Sequence, residues 1–181
     1  KVRRHHVFRS GRDLAEGLLT HNFVTGCTML VQSDAAKRAI PFCPYMVHDH
    51  YIALCCAAEG MVYSSPKKTI CYRIHGGNQT GIMSGVRDKE SYLNVRISAV
   101  EEKLRWLEKY FPYHDDLNKS IHRRLCWVHA RKENWQKKGY ASELWQLRDC
   151  GRQVTAYEIL AARLPEKLFM RTINLARKNV I

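Results

Sequence analysis

Apolar residues fall into two regimes along this chain: short clusters separated by turn signals up to about Gly85, then long stretches with helical spacing. Leu14, Leu18 and Leu19 predict a short helix over residues 13–20. The run from Phe23 to Val31 reads as a strand, with Gly26 inside it marking a kink or a close backbone approach. Ser33 or Asp34 starts a helix that runs to Ile40 and is stopped by Pro41. Asp49 stands where a third helix should begin; a small-residue apolar run continues to Glu59 and ends at Gly60. Residues 61–64 and 68–74 are β-like runs around a Ser65-Pro66 turn. A Gly/Asn-rich loop over 75–85 closes this part.

From Asp88 onward the pattern is helical, punctuated by Pro112, Gly139, Gly151 and Pro165. Val100, Leu104, Leu107 and Phe111 form one stripe of an amphipathic helix, and Glu101 with Arg105 adds an i, i+4 pair outside it. The fold class expected is therefore α/β over residues 1–85, followed by a helical C-terminal region over 86–181. No internal repeat or low-complexity tract interrupts either part.

Composition adds two constraints. Thirty Lys+Arg against 17 Asp+Glu give a net charge of +13, which favours polyanionic or phosphate-bearing partners. No apolar run is long enough for a spanning helix, and the first residues lack the apolar core of a signal peptide. Seven cysteines without a C-x-x-C pair fit buried, reduced thiols, Cys55 and Cys56 above all, hence a cytoplasmic setting. The chain starts without Met, so it is expected to be a piece of a longer polypeptide.

Two blocks carry candidate chemistry. His48-Asp49-His50-Tyr51 puts a carboxylate at a helix start, where the dipole and free N–H groups favour it whether it caps or catalyses. Tyr72-Arg73-Ile74-His75-Gly76-Gly77-Asn78 alternates Arg73 and His75 on one strand face, then lets two glycines bring the backbone close to a ligand. Such a face suits a diphosphate or its metal ion, and equally an ordinary hairpin with two solvated cations. The sequon at Asn78-Gln79-Thr80 is incidental in a chain read as non-secreted. Further on, Arg163, Lys167 and Arg171 recur opposite Leu164, Leu168, Ile173 and Ala176. That arrangement fits a solvated face or an anionic membrane surface. No nucleic-acid reader motif is present, so nucleic acid is not an expected partner.

In order, Asn22 to Leu30, Pro41-Phe42, His48-Asp49, the helix to Gly60, and Tyr72 to Asn78 with Gly81 resemble the second half of family-2 glycosyltransferases, rhamnosyltransferase-like enzymes in particular. The resemblance implies a partial GT-A (Rossmann-like) fold and inverting transfer of a sugar from a nucleotide-sugar donor to a saccharide or lipid-linked acceptor, in bacterial cell-surface polysaccharide synthesis. Asp49 would be the catalytic base. Gly26, Cys27, Thr28, His48, Arg73 and Asn78 would bind substrate, and His75 would bind a divalent metal, Mg or Mn, supplied mainly by a nucleotide-binding half. That half, with its first strand and Asp-x-Asp motif, is not found here; Asp115-Asp116 lies in the helical tail. Alone, the chain is thus expected to turn over negligibly. It is also expected to sit in the cytoplasm or peripherally at the inner membrane face. Where the family usually has an aromatic after His-Asp, this chain has His50-Tyr51. The competing expectation is a non-catalytic basic helical module that binds a membrane surface or a partner protein.

Overall fold

A computed structural model describes residues 10–11, 13–67, 69–71, 83–111, 115–137 and 140–178, with Lys178 placed by its backbone alone. The chain divides into two compact units, Lys1–Arg73 with Trp106–Ile121, and Ile74–Arg105 with His122–Ile181.

The first unit is centred on α3 (His48–Glu59), against which α1 (Ala15–Leu18) and α2 (Ser33–Arg38) pack. Its alanines and cysteines let neighbours come close, and Tyr51, Ala53, Leu54, Cys55 and Ala57 are all buried. Leu18 and Leu19 from the end of α1 join Leu54 in full burial. Each such leucine contributes about 1.5–3 kcal/mol. The Tyr51 ring sits edge-on to Phe42, Trp106 and Phe111. At the far end of α3, Arg38 grips Glu59 with Nε at 2.9 Å and Nη2 at 2.6 Å, joining α2 to α3.

The expected α/β class, and with it the partial GT-A (Rossmann-like) sheet, is overturned. Among the described residues there is no β-strand; the only β-pairing is one antiparallel bridge, Gly11 with Val62. A strand persists only where a neighbour takes its backbone hydrogen bonds. The run from Phe23 to Val31 has none: a 3₁₀ turn at Gly26–Thr28 breaks it, and Leu30 stands 99% exposed. Residues 61–64 pair only through Val62, leaving Tyr63 76% exposed. Of the 68–74 run, residues 69–71 are described and carry no pairing.

The second unit is helical, as its spacing predicts. Asp88 caps α4 (Lys89–Leu93): its carboxylate accepts the Ser91 N–H at 2.7 Å while Ser91 Oγ accepts the Asp88 N–H at 2.9 Å. A π-helical turn, Asn94–Ser98, leads into α5 (Ala99–Tyr110). The part of α5 from Trp106 on and the part of α6 (Asp115–Gln136) up to Ile121 belong to the first unit; the rest of α6, then α7 (Ala141–Gln146), a 3₁₀ turn, α8 (Arg152–Ala161) and α9 (Glu166–Lys178), belong to the second. Of the predicted stripe, Leu104, Leu107 and Phe111 are buried and Val100 is half-buried.

A buried ion pair organises this unit. Arg131 on α6 donates through Nε at 2.8 Å and Nη2 at 2.6 Å to Glu158 on α8, and the Tyr92 hydroxyl of α4 donates to the same carboxylate at 2.7 Å. Arg131 also stacks over the Trp127 ring, whose Nε1 donates to Thr155 Oγ1 at 2.8 Å. Gly151 is required beside it: a Cβ there would lie 2.8 Å from the indole. Phe169 and Ile173 of α9 complete the core.

Candidate functional site

The start of α3 gathers the sequence-predicted residues that the structure describes. His48 opens the helix and is exposed; Asp49, in the first turn, is half-buried. Its carboxylate accepts three hydrogen bonds. Oδ1 takes the His50 N–H at 2.6 Å and Asn22 Nδ2 at 3.3 Å, and Oδ2 takes the Gly26 N–H at 2.9 Å. Two segments 23 residues apart are thereby fastened together.

Local chemistry explains why the loop presents its N–H there. Asn22 Oδ1 accepts the Val24 N–H at 2.9 Å, an Asx turn that bends the chain before Gly26. Thr28 closes the next turn, its N–H and its hydroxyl both donating to the Thr25 carbonyl at 3.0 Å. Gly26 itself answers to a close approach: a Cβ would stand 3.2 Å from both Cβ and Oδ2 of Asp49. The space that glycine leaves is thus taken by the Asp49 side chain. Cys27 and Thr28 are exposed.

A carboxylate offers about four acceptor positions. Among the described residues three are filled at Asp49, two on Oδ1 and one on Oδ2, so the second position on Oδ2 takes no described partner. The fixed carboxylate of a 12-residue helix's first turn can accept a proton from a group brought to that position.

His50, which the sequence groups with its neighbours, points elsewhere. It is buried, and its Nε2–H donates to the Leu18 carbonyl at 2.5 Å, tying α3 to α1. Asn22 was visible only as part of the resemblance; an Asn just past the apolar run of α1 was the signal for its turn. Arg73, His75 and Asn78 lie outside the described residues. Among the described residues no three His, Cys, Asp or Glu side chains converge to hold a metal ion.

A second polar cluster occupies α5 and α6. Glu101, expected outside the apolar stripe, is 5% exposed and accepts from Arg105 at 2.6 Å and Lys132 at 2.8 Å. Burial pushes its carboxyl up, but the bonds from Lys132 and Arg105 outweigh that and hold it below the usual glutamate range. A groove of about 340 Å³ lies beside it, lined by Arg105, Leu125, Cys126, His129 and Ala130. In α3 burial pushes the Cys55 thiol up to about 11 and raises that of Cys56 as well. No helix of the described residues is long and apolar enough to cross a membrane.

Comparison with family models, curated proteins and solved structures yields no match for this chain.

Proposed function

We propose that this chain carries the proton-accepting side of a sugar-transfer site, with Asp49 as base in the inverting transfer of a glycosyl group from a nucleotide sugar to a saccharide or lipid-linked hydroxyl. The observation that supports the reading most is the direct bond between Asp49 Oδ2 and the Gly26 N–H. It joins the two described blocks that the resemblance assigns to one site, and the second position on the same oxygen takes no described partner.

In this reading the acceptor hydroxyl approaches Oδ2, and its proton passes there as its oxygen attacks the anomeric carbon and the nucleoside diphosphate departs. A carboxylate is basic enough because the hydroxyl becomes acidic only as the new bond forms. Asn22 and the Gly26 N–H keep the carboxylate from rotating away. His48, Cys27 and Thr28, chain neighbours of Asp49 and Gly26, are exposed.

The test is nucleoside-diphosphate release from a panel of nucleotide sugars with saccharide acceptors, the chain being assayed in its natural full-length context beside the Asp49→Asn variant. Loss of a general base costs on the order of 10²–10⁴-fold in rate, and such a loss is the expected outcome. Turnover unchanged in Asp49→Asn overturns the reading.

A further inference from the structure

The helical spacing of α9 pairs Leu168 with Ile173 and Ala176 as one apolar set, yet the structure divides that set. Phe169 and Ile173 are buried, while Leu168 is 43% and Leu175 60% exposed. On α8, Val154 and Leu160 are likewise exposed, Leu160 at 68%. Leu168 and Leu175, seven residues apart, share one stripe of α9. The Tyr157 hydroxyl of α8 and the Thr172 hydroxyl of α9 share a hydrogen bond of 2.8 Å. Val154 and Leu160 stand three residues either side of Tyr157; Leu168 and Leu175 stand four before and three after Thr172. At helical spacing Leu168 and Leu175 lie on the stripe of Thr172, while Val154 and Leu160 flank Tyr157 on its two sides.

The charges around this strip have one sign. Lys167 and Arg171 are exposed beside Leu168 and Leu175 on α9. Of the helices' two carboxylates, Glu158 is buried against Arg131, and Glu166, exposed and accepting the Lys89 N–H at 3.0 Å, lies two residues before Leu168 and so on the opposite side of α9. Leucines with a cationic border and no opposing acid match an occupant that is apolar inside and anionic at its edge. A second copy would set cation against cation, and a nucleic acid would leave the leucines in water.

We infer that the α8–α9 face binds an anionic phospholipid surface, Leu160, Leu168 and Leu175 entering the acyl boundary while Lys167 and Arg171 meet the phosphates. The inference stands independently of sugar transfer, since it uses none of the residues around Asp49.

The experiment is co-sedimentation of the whole chain with vesicles made of equal parts phosphatidylglycerol and phosphatidylcholine, against pure phosphatidylcholine. Binding is expected to the anionic vesicles alone and to weaken with salt. The double variant Leu168→Ser/Leu175→Ser should bind at least about tenfold more weakly. Lys167→Gln and Arg171→Gln should each cost about fivefold. Leu30→Ser, which alters an exposed leucine in the first unit, should bind as the unaltered chain does. Because all these side chains are exposed, folding is not at stake. Failure to sediment with anionic vesicles overturns the inference, as does full binding by the double leucine variant or an equal loss in Leu30→Ser. Self-association that vanishes with the two leucines, in place of vesicle binding, would assign the face to a second copy instead.

Discussion

Gly26 and Gly151 both owe their identity to a neighbour, and the neighbours differ in how far they can yield. At Gly26 an added Cβ meets the Asp49 side chain at 3.2 Å, a contact that a shift of a few tenths of an ångström relieves. At Gly151 it meets the Trp127 ring at 2.8 and 2.9 Å. That ring is fixed by its bond to Thr155 and by Arg131 stacked upon it. Overpacking costs about 1–3 kcal/mol, and the two sites should sit at its opposite ends. Gly26→Ala is expected to lose about 1 kcal/mol and Gly151→Ala about 3 kcal/mol in urea unfolding. Equal losses would mean that the indole moves as freely as the carboxylate.

Between helices the decisive contact is Arg131 with Glu158, which also gathers Tyr92 and so links α4, α6 and α8. Both side chains are at most 5% exposed, so removing one leaves the other charged and unpaired in the interior. Such a loss costs about 3–5 kcal/mol, whereas replacing both with apolar groups is often neutral. Glu158→Gln is therefore expected to lower unfolding free energy by about 3 kcal/mol, and Arg131→Met/Glu158→Leu by clearly less. A double-mutant cycle on thermal or urea unfolding measures the difference. The spacing of apolar residues foretold the helices that meet here but not their bond, because Arg131 is one cation among Arg123, Arg124 and Lys132 along α6 and spacing does not single it out. The first unit shows the reverse. Its strand-like runs carry β-favouring residues, but strand formation depends on partners that local spacing does not report, and the described residues around 23–31 and 61–64 have almost none. The helix start at Asp49 was legible from its acid and the apolar run behind it; its bond to Gly26 was not, since spacing carries no trace of a contact across 23 residues.

At the scale of the whole chain, a net charge of +13 acts on folding and on membrane binding with opposite signs. Folding crowds like charges that the extended chain keeps apart, so self-repulsion opposes the compact state. The exposed ion pairs offset little of this, since such pairs contribute about 0–1 kcal/mol each. Lys37–Asp34, Lys119–Asp116 and Arg123–Asp149 are of that kind. Salt shortens the Debye length from about 30 Å at 0.01 M to about 8 Å at 0.15 M. It should then relieve the diffuse repulsion more than it weakens the pairs in contact. The midpoint of thermal unfolding is expected to rise by a few degrees over that interval, while affinity for anionic vesicles falls. Measuring both on one protein preparation separates a cationic surface used for binding from a chain that salt merely destabilises. A midpoint that drops as vesicle binding drops would show that the excess positive charge is held in specific ion pairs, and would take the electrostatic support from the α8–α9 face.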